Sequence, residues 1–123
     1  LDRRPEEECL GLLRESGIGV LARGALGKGL LAGKAAAPYL DRSVEEVEAA
    51  ARAVEELAEG TTKADIAIRY VLENPAVTSV IAGARTGAQL EEILSGNGRT
   101  GLGKKELGRL TSAVSPNRYD AHR

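Results

Sequence analysis

Apolar residues follow two different patterns along the chain, and the change of pattern predicts its elements. The run IGVLA at residues 18–22 is apolar throughout, which is typical of a strand buried on both faces of a parallel sheet. A second run, VTSVIAG at residues 77–83, is rich in β-branched residues and ends in glycine, so it predicts a second strand. Elsewhere apolar residues recur every three or four positions among charged ones, which indicates amphipathic helices.

Start signals indicate where these helices begin. Pro5 and the three glutamates after it predict a helix that ends at Gly17, because proline and carboxylates both favour the first turn. Three pairs with the spacing of helix caps follow: Ser43 with Glu46, Thr62 with Asp65, and Thr86 with Gln89. We expect a loop at residues 95–103 and a last short helix from residue 104. The order of elements predicts an α/β fold.

Composition limits the class of protein. The 123 residues suit one domain, with 17 Lys and Arg against 18 Asp and Glu, so the totals indicate neither a nucleic-acid surface nor an acidic tail. One cysteine and one histidine make neither a disulfide framework nor a Cys/His zinc site. Neither a membrane-length apolar run nor a signal-peptide pattern is present, so we expect a soluble, cytoplasmic protein without a membrane partner.

Two features suggest a piece of a longer protein. The chain begins at Leu1, directly before the charged stretch DRRPEEE. Two parallel strands are too few for an independent sheet, because strands with two apolar faces need neighbours on both sides. We therefore expect residues 1–123 to form a single unit within a larger sheet or barrel.

A glycine-rich loop, LARGALGKGLL at residues 21–31, follows the first strand. It is not a P-loop, because GLLAGKA is one residue short and has alanine where a metal-binding hydroxyl belongs. GIGVLA at residues 17–22 matches the letters of a dinucleotide-binding fingerprint. It lies at the start of the predicted strand, however, whereas that fingerprint follows a strand and opens a helix. Two interpretations remain open: a backbone cradle for an anion, with Lys28 and Lys34 beside it, or a flexible connection with solvated lysines.

A second loop changes this balance. Gly83, Ala84 and Arg85 follow the second strand, and the capped helix start at Thr86 comes next. A helix N-terminus and an arginine together suit a phosphate group. Both loops leave the carboxyl ends of predicted parallel strands, where α/β folds bind ligands. Two such loops at one edge predict a dinucleotide site.

These segments resemble the aldo-keto reductases. The similar segments are LDRRPEEECLGLLRESGIGVLARGALGKGLLAGK and VTSVIAGARTGAQLEE, and the likeness extends over nearly the whole chain. The resemblance implies a (β/α)8 TIM barrel that binds NADP(H) at its carboxyl-end rim and reduces aldehydes or ketones. The chain would cover roughly the last two to three βα units of that barrel, as its C-terminal part.

The resemblance also implies a role for individual residues. Leu26 and Gly27 would lie along the ribose and pyrophosphate of the cofactor, and Lys34 would meet the pyrophosphate. Gly83 and Arg85 would hold the 2′-phosphate of the adenosine. Gln89 and Glu92 would lie beside the adenine and its ribose. With Lys28 of the glycine loop included, the predicted cofactor-binding residues are Leu26, Gly27, Lys28, Lys34, Gly83, Arg85, Gln89 and Glu92.

The chain departs from the family pattern in three respects. Ile93 stands where an asparagine is usual, and Gly24-Ala25 replaces Ser-Pro. The catalytic Asp, Tyr, Lys and His of the family belong to the first half of the barrel, so no catalytic residue is assigned here, His122 in the tail included. We therefore expect the chain alone to be inactive. The alternatives are a non-catalytic NADP-binding or regulatory module that self-associates through exposed strand edges, and a helical interaction domain without a ligand.

Overall fold

In the computed structural model the chain is described for residues 1–96 and 101–120. The helices are α1 Cys9–Glu15, α2 Val44–Leu57, α3 Lys63–Leu72, α4 Gly87–Leu94 and α5 Lys104–Ala113, and the strands are β1 Val20–Arg23 and β2 Val77–Ile81. The alternation predicted from the sequence is present. The middle of the predicted loop at residues 95–103 and the tail residue His122 lie outside the described residues.

The two strands form a parallel pair. Val20 is opposite Val77, and Arg23 at the end of β1 is opposite Ile81 at the end of β2. Among the described residues the helices bury only one face of the first strand, and Leu21 on the other face is 64% exposed. The helices cover the face that carries Val20 and Ala22 and leave the other face open.

The N-terminal helix begins later than its sequence signal predicts. A 3-10 turn at Arg4–Glu6 comes first, and α1 starts only at Cys9 because Glu8, at φ −140°, interrupts the helical path. The short α1 contributes little to the core, since Cys9 is exposed and Leu12 is 65% exposed.

Two of the predicted helix starts have the expected caps. The Oγ of Ser43 accepts from the Glu46 N–H while a Glu46 carboxylate oxygen accepts from the Ser43 N–H, which is a complete capping box at α2. At α3 the Thr62 Oγ1 accepts from the Asp65 N–H at 3.1 Å. Such caps contribute about 1 kcal/mol each to helix stability.

The hydrophobic core lies between α2, α3, α5 and the glycine-rich loop. Ile66 and Val47 are fully buried, and Leu30 and Leu31 of the loop are 4% and 8% exposed. The glycine-rich stretch is therefore packed on the core at its two leucines, unlike the flexible connection that was one of its two interpretations. Within Gly27–Ala32 two 3-10 turns are separated by a kink at the non-helical residues Lys28 and Gly29, and the burial of two leucines draws the chain onto α2 and α3.

The sheet is less closely packed than the helices. A cleft of about 570 Å³ lies against the inner face of β1, with Val20 and Ala22 on one side and Tyr70 and Leu110 on the other. This agrees with a core that lacks Phe, Met and Trp to fill such space. Within residues 1–96 and 101–120, every helix is too short or too polar to cross a membrane.

Candidate functional site

The parallel register brings the two predicted loops to the same edge of the sheet. Because Arg23 is opposite Ile81, the loop after β1 begins at Gly24 beside the loop that begins at Ala82. Neighbouring strands lie about 4.8 Å apart, so the backbone of both loops starts within reach of one ligand. This edge, formed by residues 24–39 and 82–89, is called the rim below.

The glycine loop of the rim has an unusual curled backbone. Gly27, Lys28 and Gly29 have φ angles of 54°, 59° and 91°, so three consecutive residues are left-handed. Glycine adopts this conformation without a Cβ penalty, whereas for a lysine it costs about 1–2 kcal/mol. Two hydrogen bonds fix the curl: the Gly29 N–H donates to the Leu26 carbonyl at 2.9 Å, and the Lys34 N–H donates to the Gly29 carbonyl at 3.1 Å.

The predicted contacts in this loop point in different directions. Leu26 packs against the core and Gly27 is buried, with the position of a Cβ on Gly27 only 2.7 Å from the Leu1 side chain. The Leu26 side chain therefore faces the core, and Gly27 lies beneath the surface of the rim. Lys28 and Lys34 are exposed, with the Lys28 Nζ 5.9 Å from the centre of the Tyr39 ring. The loop thus supplies two cations on a preformed backbone.

The second loop ends in a helix N-terminus that carries an arginine. The Thr86 Oγ1 accepts from the Gln89 N–H at 3.2 Å, so the predicted cap is present. Its second half differs, because the Gln89 Oε1 accepts from the Arg85 N–H at 2.8 Å and not from Thr86. Gln89 therefore fixes the backbone of Arg85, whose side chain is exposed at the start of α4.

The remaining predicted residues complete this side of the rim. Gly83 is exposed with open space beside its α-carbon, so a ligand can approach the backbone there. Glu92 is half-buried, and its carbonyl accepts from the Thr62 Oγ1 at 2.9 Å, which holds α4 against α3. Ile93, at the position of the usual asparagine, is half-buried as well.

The charges on the rim suit a ligand that carries phosphate groups at two places. Lys28 and Lys34 lie in one loop, and Arg85 lies with the helix N-terminus in the other. Oriented N–H groups, a helix dipole and a guanidinium are the donors that phosphates bind best. The donor set therefore fits a dinucleotide. Among residues 1–96 and 101–120 no group of His, Cys, Asp and Glu could hold a metal ion.

The sequence profile of the aldo/keto reductase family matches residues 1–114. The chain belongs to the aldo/keto reductase family. It is 39% identical over 131 residues to the uncharacterized oxidoreductase YqkF of Bacillus subtilis, covering 99% of this chain and 42% of YqkF.

Solved structures of the family have the same fold. The holo form of the aldo-keto reductase AKR11C1 from Bacillus halodurans superposes with a TM-score of 0.83 at 27% identity, covering 100% of this chain and 42% of that one. The glycerol dehydrogenase AKR11B4 from Gluconobacter oxydans superposes with a TM-score of 0.72 at 27% identity, covering 97% and 42%. The chain therefore forms part of a (β/α)8 barrel and spans about two fifths of the length of these relatives.

The sequence did not predict that three polar residues are buried. Arg42, Asp65 and Asn117 are each at most 9% exposed. Two of them carry a local signal, because Arg42 with Glu46 and Asp65 with Arg69 are ion pairs at the i,i+4 spacing. Asn117 has no such signal, since its partners are distant in sequence.

Proposed function

We propose that this chain supplies the NADP(H)-binding rim of an aldo/keto reductase that transfers hydride to an aldehyde or ketone. The observation that carries the proposal is the register of β1 and β2, which sets a loop with two lysines beside a helix start with an arginine. Family membership supports it. The same proposal includes a cytoplasmic location and no nucleic-acid or membrane partner; the balanced charge of the sequence supports the part on partners.

Each half of the rim would hold one end of the cofactor. On the β1 side, the backbone of Leu26 and Gly27 would follow the ribose and pyrophosphate, and Lys28 and Lys34 would neutralise the pyrophosphate. The left-handed curl supports this role, because it leaves both lysine side chains exposed while Leu31 holds the loop on the core.

On the β2 side, Arg85 and the backbone of Gly83 would bind the 2′-phosphate. Gln89 and Glu92 would lie beside the adenine and its ribose. The exposure of Arg85 and its hydrogen-bonded backbone support this role, because a held backbone reduces the ordering cost on binding.

The bound nicotinamide would supply the hydride for the carbonyl carbon of the substrate. The residues of this chain would bind and orient the cofactor, and none of them is assigned as the acid that protonates the carbonyl oxygen. We therefore propose that the 123-residue chain binds NADP(H) and is inactive by itself.

Calorimetric titration of the chain with NADPH, together with a thermal melt, tests this proposal. Saturable binding should raise the melting temperature, because a ligand at one hundred times its Kd stabilises the folded state by about 2.7 kcal/mol. A chain that melts cooperatively but shows neither heat of binding nor a thermal shift with millimolar NADPH would contradict the proposal.

A chimera tests the activity. This chain would replace the matching part of YqkF, and carbonyl-dependent oxidation of NADPH would be measured for the chimera and for the 123-residue chain. We expect turnover only with the chimera. Turnover by the chain itself would show that the acid catalyst lies among its own residues.

A second candidate function is a self-associating NADP-binding module. The observation that favours it is the open face of the sheet, where Leu21 and Ile81 are 64% and 56% exposed, since apolar faces and unpaired strand edges invite association. Size-exclusion chromatography with light scattering separates the two functions. A discrete oligomer that binds NADPH would support the module, whereas a monomer would exclude it.

A further inference from the structure

Arg42 is a buried cation that joins three separate parts of the chain. Its side chain is 6% exposed, and its guanidinium has partners on each side. The NH1 donates to the Glu46 carboxylate at 2.9 Å, the Nε to the Leu1 carbonyl at 3.3 Å, and the NH2 to the Ser115 carbonyl. Because a buried guanidinium without partners is costly, these bonds hold the N-terminal segment, the start of α2 and the C-terminal tail together.

Asn117 makes the same connection from the tail. It is 9% exposed, its Oδ1 accepts from the Arg3 N–H at 2.8 Å, and its Nδ2 donates to an Asp41 carboxylate oxygen at 3.0 Å. A second carboxylate, on Asp2, lies 3.4 Å from the same nitrogen. A hydrogen bond from Arg4 lowers the pKa of Asp2, so this acceptor is ionised at neutral pH.

Both residues act on a tight turn that ends the glycine loop. Tyr39 and Arg42 exchange backbone hydrogen bonds of 3.2 and 3.0 Å around Leu40 and Asp41, and Leu40 is left-handed at φ 55°. Such a turn is strained and persists only where its surroundings hold it. The tail supplies that support through Arg42 and Asp41.

The same turn also positions Lys28, one of the predicted cofactor contacts. The Tyr39 ring is half-buried, and the Lys28 Nζ lies 5.9 Å from its centre, within the range of a cation–π contact. Lys28 itself is in the left-handed curl of the rim. A continuous chain of contacts therefore runs from Asn117 through the turn and Tyr39 to Lys28.

We propose that the tail segment 115–117 is a positioning element for the glycine loop, and that Asn117, Arg42 and Tyr39 set the conformation in which Lys28 meets the cofactor. The effect of the tail segment on NADP(H) binding rests on the proposed function. Its effect on the glycine loop is independent of that function, because the contacts are present without a ligand.

Limited trypsin digestion without cofactor tests the positioning directly. Cleavage after Lys28 and Lys34 would be measured by mass spectrometry. Its rate would be divided by that of cleavage after Arg85, which lies in the other loop, whereas the hydrogen bonds described for residues 115–117 run to Asp2, Arg3, Asp41 and Arg42. Asn117→Ala should raise this ratio about tenfold, since it removes a hydrogen bond to a carboxylate and one to a backbone N–H. The control Arg118→Ala changes the neighbouring exposed side chain and should leave the ratio unchanged.

A second pair of variants separates positioning from folding. Tyr39→Ala keeps the hydrogen bonds of the tail and should raise the cleavage ratio about threefold, which is the effect of losing one exposed cation–π contact. Tyr39→Phe keeps the ring and should return the ratio to that of the unmodified chain. An unchanged ratio in Asn117→Ala or Tyr39→Ala, or an equal rise at all sites, would overturn the proposal.

NADPH titration of the same variants gives the second readout. Asn117→Ala should raise the Kd several-fold, because part of the binding free energy is then used to order the loop. An unchanged Kd beside a raised cleavage ratio would overturn the cofactor half of the proposal. If the unmodified chain does not bind NADPH, the proposed function fails, and the digestion still decides whether the tail positions the loop.

Discussion

Replacement of Arg85 by alanine distinguishes an adenosine 2′-phosphate site from an ordinary surface arginine. Arg85 is exposed, and its backbone N–H, which donates to Gln89, is kept in Arg85→Ala. We therefore expect the free energy of unfolding to change by less than about 0.5 kcal/mol. Any loss of affinity then reports on the contact with the ligand.

The size of the loss follows from the environment of the side chain. A hydrogen bond to a charged group contributes about 1.5–3 kcal/mol, and the exposed position on the rim favours the lower value because water and salt screen the charges. About 1.4 kcal/mol corresponds to a tenfold change in Kd. We expect Arg85→Ala to weaken NADPH binding about tenfold and to leave NADH binding unchanged, since NADH has no 2′-phosphate.

The assay is a calorimetric titration of both cofactors against the chain at low and high salt. Arg109→Ala is the matched control, because Arg109 of α5 is also an exposed arginine and its partner is Glu56 of α2, which is not a residue of the rim. The difference between NADPH and NADH should shrink as salt rises. Equal losses for NADPH and NADH in Arg85→Ala would refute the assignment to the 2′-phosphate.

Three further predictions concern stability. Gly27→Ala should destabilise the fold by at least about 1 kcal/mol, because its φ is 54° and a Cβ would lie 2.7 Å from Leu1; an unchanged melting temperature would contradict this. Ile66→Ala should cost about 2–5 kcal/mol in urea unfolding, since Ile66 is fully buried, and a cost below about 1 kcal/mol would show a loose core. Hydrogen bonds from the Ser43 N–H and from a buried arginine lower the pKa of Glu46 below its usual 4.5. The stability that the ionised Glu46 carboxylate contributes is complete above this usual pKa and is lost as the pH falls through the lowered pKa. Glu46→Gln should therefore flatten the stability profile measured between about pH 6 and about pH 3, and a profile of the same steepness would argue against this role.

Local signals in the sequence were reliable where the partners are close in the chain. The capping box of Ser43 and Glu46 is complete, because both partners lie within one helical turn. The cap at Thr86 is present in half, since Gln89 reaches the backbone of Arg85 instead. The Gln89 amide oxygen can accept from the N–H of Thr86 or from that of Arg85 one residue earlier, and spacing alone cannot decide between these two donors.

Local signals also predicted only part of the rim. The sequence predicted two anion-binding loops at the ends of two parallel strands, and the register confirms that the strands are parallel and end together. The roles of the eight predicted residues stay predictions. The sequence did not predict that Leu30 and Leu31 are buried and fold the glycine loop back onto the helices, because burial depends on what α2 and α3 present.

Sequence by itself determined the order of helices and strands, the starts of α2, α3 and α4, and the family, because these depend on periodicity, caps and motifs that are local. The tertiary structure decided the conformations of the loops, because contacts between distant residues stabilise them. The left-handed curl at residues 27–29 and the strained turn at Leu40 are held by contacts with the core, Arg42 and Asn117. Asn117 lies 76 positions from Asp41, and no pattern along the chain encodes such a contact, since only folding brings these residues together.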